Sequence, residues 1–236
     1  MKSIKLFLLL AFLGATVHSC TPDEEFGTAN LSFSGEFNNM ELLRNQVYTN
    51  SEGQFVQFSG FDLYFSKISL INDGDVSQEI SDVTLQDLLS PETISTTVNA
   101  GNYKAIQFNV GLTPEQNIID PTTFDATHPQ STANNMFWSW GSQYRFMKID
   151  GRADFTNGEI LDSTFSYHTG FDDLMRTITI ETDIDVKADE TVDIELEIDL
   201  DVLFGEINMI EEDATHALTP LATKLHDNMT NAVSVK

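Results

Sequence analysis

The chain has 236 residues and a formal net charge of −25 at pH 7, with 37 acidic and only 12 basic side chains. Such an acidic surface repels the phosphate backbone of nucleic acids, so the sequence argues against DNA or RNA as a partner. The 17 phenylalanines and a hydrophobic fraction of 41% supply enough apolar mass for a packed core, which argues against a disordered chain.

The first 19 residues have the order of a secretory signal, in which basic Lys2 and Lys5 precede an apolar run and the small Ser19. The run is too short to span the ~30 Å of hydrocarbon in a bilayer. Cys20 is the only cysteine, and Ser19-Cys20 fits a lipobox whose cysteine is acylated and becomes the new N-terminus. Acyl chains bury methylenes worth about 0.8 kcal/mol each, so several chains anchor a protein stably. We expect an outer-membrane lipoprotein that faces the periplasm or the cell surface, with a membrane contact through this anchor.

The polar and acidic residues 20–29 predict a solvated tether, and they also fit an acidic address that directs a lipoprotein to the cell surface. Residues 30–236 are then expected to form one folded domain.

Most of the domain has strand character, with turn-forming residues at 72–75 and 99–102. The predicted strands are 31–37, 54–71 (one strand or two), 83–89, 93–98, 103–111, 136–155 (interrupted at 150–151), 163–168, 175–182 and 192–202. Helical spacing occurs only at 217–229, with Asp213 or Thr215 as the N-cap. The predicted fold class is all-β, an antiparallel β-sandwich with a short C-terminal helix.

The segment 192–202 alternates strictly between apolar residues and carboxylates, which predicts one buried and one acidic face. The carboxylates could form a calcium platform or a solvated sheet face. The second interpretation is favoured, because an evenly spaced row does not converge on an ion that needs 6–8 oxygen ligands.

The segment 112–135 carries three prolines and little periodicity, which predicts a long loop of the kind that often carries function. It leads into a strand-like segment that contains Trp138 and Trp140, two apart and therefore on one face. An aromatic pair of this kind commonly packs in a core. Here, however, it follows directly from a loop that contains His128-Pro129 and borders solvent.

The sequence contains no Gly-x-Ser-x-Gly, phosphate-binding glycine loop or His-Glu-x-x-His motif, so we expect no enzyme. Four histidines remain after the signal, and imidazole suits copper, zinc, iron and nickel. His226 is expected to be a surface or capping residue, whereas His216, at the predicted start of the helix, could equally border a site. His128 and His168 lie at the end of the loop and of a strand, respectively.

The stretch HPQSTANNMFWSWGSQYRFMKIDG, at 128–151, resembles the signature of the MbnP-like family of periplasmic copper-binding proteins. The sequence FSYHTG at 165–170 is similar to the family's aromatic-x-x-His-x-Gly, and weaker similarities occur at 63–70, 101–103 and 108–111. The resemblance covers most of the chain from about residue 31. Asn135 and Gln143 depart from it, because members often have glycine at both positions.

The resemblance implies a β-sandwich that binds one copper ion, mainly Cu(I), through histidines and a tryptophan oxidised to kynurenine by a MauG/MbnH-like dihaem oxidase. Carried onto this chain, His168 is the better ligand and His128 the second, with His216 as a further candidate. Trp138 or Trp140 is the modified residue. Since the mature chain has no cysteine other than Cys20, thiolates cannot build the site.

Two other functions compete with copper handling. One is a metal-free surface β-sandwich that binds a glycan or a protein, which predicts exposed tryptophans and scattered histidines. The other is calcium-stabilised adhesion, which predicts a carboxylate cluster drawn from turns such as 72–75. Copper binding predicts that the histidines and the tryptophan pair converge on one pocket.

Overall fold

The computed structural model describes residues 24–73, 77–138, 141–156 and 158–236. Residues 1–19, Cys20 and Trp140, on which the predicted signal, the lipid anchor and one candidate kynurenine fall, lie outside the described residues. The strands are β1 (Phe26–Phe37), β2 (Met40–Glu41), β3 (Val47–Thr49), β4 (Phe55–Ile71), β5 (Ser77–Asp87), β6 (Ile94–Asn99), β7 (Gly101–Val110), β8 (Phe137–Trp138), β9 (Gln143–Tyr144), β10 (Met147–Ala153), β11 (Ser163–Thr169), β12 (Arg176–Val186), β13 (Thr191–Asp199), β14 (Ala214–Thr215) and β15 (Val233–Val235). The helices are α1 (Pro114–Asn117), α2 (Leu200–Leu203) and α3 (Pro220–Ala232), with 3-10 turns at Pro121–Thr123, Thr132–Asn134 and Asp172–Leu174.

Two sheets form the sandwich, which confirms the predicted all-β class. The first has the strand order β15-β13-β1-β2, with β6 also paired to β1. The second has the order β12-β7-β4-β10-β11-β14, with β3 and β5 also paired to β4. Most pairs are antiparallel, but β1 runs parallel to β13 and β11 runs parallel to β14. The sheets are therefore mixed rather than purely antiparallel.

Aromatic side chains fill the space between the two sheets. Phe33 of β1 stacks on Phe65 of β4 at a centroid distance of 4.0 Å, and Phe108 of β7 meets both rings edge-on. The alternation of β1 explains this contact, because every second residue from Gly27 to Phe37 is buried. Segment 54–71 forms a single long strand, and β4 is the central partner of the second sheet.

Two predicted strands differ from those observed. The segment 192–202 leaves the sheet after Asp199, whose carboxylate accepts the N–H groups of Asp201 and Val202 and caps α2. Asp193 and Glu195 are exposed, as expected for a solvated sheet face. The segment 136–155 divides into β8, β9 and β10, because the chain turns back between β8 and β9.

The C-terminal helix begins later than predicted. Its N-cap is Thr219 rather than Asp213 or Thr215, and the Thr219 hydroxyl accepts the N–H of Ala222. Pro220 occupies the first helical turn, where its fixed φ and missing N–H are favourable. Among the described residues, no helix combines the length and the apolar character that are needed to span a bilayer.

His226 lies in the middle of α3 with no exposed surface, so its expected position at the surface is wrong. Its Nε2 lies 2.7 Å from the hydroxyl oxygen of Thr169, which attaches α3 to the end of β11. Burial, followed by the nearby charge of Arg176, lowers the pKa of His226 to about 3. The imidazole is therefore neutral in the folded protein at physiological pH.

We predict that this histidine makes the fold sensitive to acid. In the unfolded chain a histidine takes up a proton near pH 6.5, whereas His226 stays neutral until about pH 3 when the protein is folded. The unfolded state thus binds more protons below pH 6.5, and the free energy of unfolding falls by roughly 1.5 kcal/mol between pH 6.5 and 5. His226→Gln should remove most of this dependence in urea unfolding curves. A dependence that survives in the variant would show that another group carries it.

Candidate metal centre

Strand β11 presents Ser166 and His168 on the outer face of the second sheet. Its alternation buries Phe165, Tyr167 and Thr169 and leaves the two residues between them half-buried. The neighbouring strand β10 places Asp150 directly opposite Ser166. On the other side, β14 pairs parallel with β11 through Thr215 and Tyr167, so the chain delivers the next residue, His216, to the same face.

The two histidine rings lie side by side. Their centroids are 5.0 Å apart, and both Nε2 atoms contact the hydroxyl oxygen of Ser166, at 3.3 Å from His168 and 2.8 Å from His216. One oxygen atom therefore lies within reach of two imidazole nitrogens. This arrangement brings together two of the three histidines that the sequence singled out as ligands.

A carboxylate orients one of the rings. The Oδ1 atom of Asp150 lies 2.8 Å from Nε2 of His168. Burial alone would raise the pKa of the Asp150 carboxyl, but the hydrogen bond with His168 and the charge of Lys148 bring it below its usual value. Burial, and then the neighbouring His168, lowers the pKa of His216. His216 is thus a neutral imidazole at pH 7, the form that binds metals.

Trp138 covers the histidine pair from the β8–β9 hairpin. Its ring centroid lies 5.9 Å from that of His168 and 6.2 Å from that of His216. The guanidinium carbon of Arg145 lies 4.7 Å from the centroid of the same indole, at cation–π distance. Trp138 is half-buried, which does not fit the exposed tryptophans expected of a metal-free binding surface.

A glycine allows the hairpin to lie against β11. A Cβ atom added at Gly170 would overlap the carbonyl oxygen of Tyr144 and lie 3.0 Å from Cα of Arg145. Next to it, the N–H of Phe146 donates to the carbonyl of Thr169 at 2.6 Å. The glycine of the His-x-Gly motif thus permits the close approach that brings Trp138 to His168.

The two positions that depart from the MbnP-like pattern, where glycine is common, have the backbone conformation that favours glycine. Asn135 has φ of 52° and Gln143 has φ of 69°, both in the left-handed region. Gln143 is the first residue of β9 in the hairpin, whereas Asn135 precedes β8 and closes the 3-10 turn there by donating its N–H to the carbonyl of Thr132. The hairpin therefore keeps these backbone turns without glycine.

His128 has different partners. Its ring stacks on Phe124 with a centroid distance of 3.8 Å and an interplanar angle of 5°, and its Nδ1 accepts the N–H of Gln130 at 3.1 Å. None of its described contacts reaches His168, His216 or Trp138. Within the described ranges, no three His, Cys, Asp or Glu side chains are grouped so that they could hold a metal ion.

Three residues of this cluster were missed by the sequence analysis, namely Ser166, Asp150 and Arg145. Ser166 could have been found, because it lies two residues before His168 on one strand and thus on the same face. Asp150 precedes Gly151, where the pairing of β10 with β4 shifts register. The sequence predicted this interruption at 150–151, but not that Asp150 lies opposite Ser166 on the neighbouring strand, and nothing marks Arg145 among the aromatic residues around it.

The fold and the cluster define a class of protein, a two-sheet β-sandwich with two imidazoles and an indole on one outer face. The family model named MbnP matches residues 26–222, and the chain belongs to the MbnP family. Its structure is similar to that of MbnP from Methylosinus trichosporium, with a TM-score of 0.57 and 13% sequence identity over 89% of this chain and 98% of that one. At this identity the similarity establishes the fold. No curated protein matches the chain.

We predict that Gly170→Ala destabilises the protein by about 1–3 kcal/mol, because the added methyl group must displace backbone rather than a flexible side chain. The free energy of urea unfolding measures this loss. Gly101→Ala is the matched control, since a Cβ atom there meets no other atom within 4 Å. Equal effects of the two substitutions would contradict the proposed close approach.

Proposed function

We propose that this protein binds copper, mainly as Cu(I), between His168 and His216, and that Trp138 beside them is the tryptophan oxidised to kynurenine. The observation that carries the proposal is that both Nε2 atoms lie within reach of one oxygen atom, at 3.3 and 2.8 Å, against the Trp138 ring. Membership of the MbnP family supports it.

The donor set fits Cu(I). This ion accepts low coordination numbers, so two imidazoles and one further group suffice where other metals need more ligands, and imidazole is a good copper ligand. The lowered pKa of His216 leaves its lone pair free at neutral pH. Asp150 contacts the same Nε2 of His168 that faces Ser166, so a copper ion bound at this nitrogen would take the place of the proton that the imidazole shares with the carboxylate.

Oxidation of Trp138 would supply polar groups that an indole lacks. With two equivalents of hydrogen peroxide, the indole takes up two oxygen atoms, its C2–C3 bond breaks and two waters form. Hydrolysis of the resulting N-formyl group releases formate and leaves a carbonyl and an aryl amine. We infer from the resemblance of the stretch 128–151 to the family signature that a dihaem oxidase of the MauG/MbnH type performs this step with peroxide as the oxidant.

We further propose that Cys20 carries the lipid anchor and that the protein acts as a copper-binding protein, not an enzyme, on the outer membrane. Strand β1 begins at Phe26, inside the segment expected to be a tether. The chain between Cys20 and this strand spans roughly 20 Å when extended. Such an anchor would hold the sandwich close to the membrane surface, where copper is acquired or handed on.

The ligand assignment predicts a specific pattern among histidine variants. His168→Ala and His216→Ala should each weaken Cu(I) binding at least about tenfold, as loss of one ligand of a low-coordinate ion does. His128→Ala should leave it unchanged, since that ring stacks on Phe124. Titration against a colorimetric Cu(I) chelator measures all three affinities. Loss of Cu(I) binding in His128→Ala, together with unchanged Cu(I) binding in His216→Ala, would contradict the assignment and favour the loop histidine as a ligand.

The modification predicts a mass change at one tryptophan. Protein purified from its native host and digested should show the peptide that carries Trp138 heavier by two oxygen atoms less one carbon monoxide. Fragmentation separates Trp138 from Trp140, and protein made without the oxidase is the unmodified control. Unmodified tryptophans together with no copper above background would overturn the proposed function.

A further inference from the structure

Arg145 has an unusual environment for an arginine. Its side chain is only 5% exposed, and one terminal nitrogen donates to the carbonyl of Asn135. Its Nε–H has no hydrogen-bond acceptor within the described part of the chain. Buried donors are almost always paired, because an unpaired one loses its bond to water and gains nothing in return. An unpaired N–H on a charged group is especially unfavourable.

The unpaired donor belongs to the group that stacks on Trp138. The guanidinium carbon lies 4.7 Å from the centroid of the indole, and Nε is bonded to that carbon. The same hairpin holds both residues, since Phe137 pairs with Tyr144 and the N–H of Arg145 donates to the carbonyl of Met136 at 2.7 Å. An intact indole cannot satisfy Arg145, because its nitrogen is a donor only.

We propose that Arg145 is the positioning residue for the oxidised side chain, and that its Nε–H donates to the carbonyl oxygen formed at Cγ of Trp138. This inference rests on the proposed function. In the oxidation written above, one of the two oxygen atoms from peroxide becomes this carbonyl, and the other leaves in formate. Breaking the C2–C3 bond opens the five-membered ring, so the carbonyl can turn about its bond to the remaining aryl ring towards the guanidinium.

Two consequences separate this role from a purely structural one. The buried donor gains an acceptor only after oxidation, so oxidation stabilises the protein that contains Arg145. The hydrogen bond also polarises the carbonyl, which lowers the frequency of its stretching vibration. A contact that served only to pack the indole would produce neither effect.

The test compares oxidised full-length protein from the native host with unoxidised protein made without the oxidase. For wild type, the oxidised form should melt higher by on the order of 4 °C, and its carbonyl stretch in the infrared difference spectrum should be lower than that of a kynurenine ester in an aprotic solvent. In Arg145→Met the difference in melting temperature should vanish and the stretch should rise. Arg145→Lys, which keeps a cation but lacks the Nε–H, should behave like Arg145→Met.

Arg152→Met is the matched control, because Arg152 donates to the carbonyl of Leu161 in an exposed part of the chain and should change neither readout. Absence of kynurenine from wild type would overturn the proposed function and this inference with it. Two results would overturn the role of Arg145 alone. One is a wild-type protein that contains kynurenine but whose carbonyl stretch has the same frequency as that of the ester. The other is an Arg145→Met variant whose carbonyl stretch has the wild-type frequency. If Arg145→Met fails to fold or is not oxidised, the frequency of the carbonyl stretch in the oxidised wild-type protein still tests the role of Arg145.

Discussion

The close backbone contact at Gly170 is the constraint on which the rest of the site depends. His168 lies in the second sheet and His216 directly follows its edge strand β14, whereas Trp138 lies in the separate β8–β9 hairpin and Arg145 directly follows it. Only where a side chain is missing can the carbonyl of Tyr144 pass so near to β11. The hydrogen bond from Phe146 to Thr169 then fixes the hairpin, and the buried His226 holds Thr169 from the opposite side through its hydroxyl. The indole is thus placed over the imidazoles by backbone packing, so its position does not require a bound metal.

The electrostatics of the cluster complement this geometry. The carboxylate of Asp150 contacts His168 and the guanidinium of Arg145 lies against Trp138, and both charges act on His216, whose pKa is lowered overall. Without a bound ion, the negative charge of Asp150 and the positive charge of Arg145 offset each other, although the whole chain has a formal net charge of −25. On the proposed function, a Cu(I) ion adds one positive charge that Asp150 is close enough to balance. Arg145 lies against the indole, where its positive charge favours an electron-rich oxygen atom.

The sequence predicted the sandwich better than it predicted the site. Alternation and aromatic content determine β1, β4 and β13, because burial of one face leaves little freedom of register. The end of β13 was missed because the apolar alternation continues past Asp199, while the side-chain cap turns the chain. The convergence of His168 with His216 could not be derived, since it arises from a two-residue parallel pairing between distant segments. The loop position of His128 suggested a ligand, but the aromatic ring of Phe124 four residues earlier provides a better stacking partner.

The two departures from the family pattern show why a sequence motif and a backbone conformation are different constraints. Asn135 and Gln143 stand where glycine is common, yet both keep positive φ. Asparagine adopts this region readily, whereas for glutamine it costs about 1 kcal/mol relative to glycine. The turn at Gln143 nevertheless persists, because Phe137 and Tyr144 pair across it and Asn117 accepts the N–H of Tyr144 at 3.1 Å. Tertiary contacts therefore hold the hairpin in shape, so loss of glycine at these positions does not by itself remove Trp138 from the histidines.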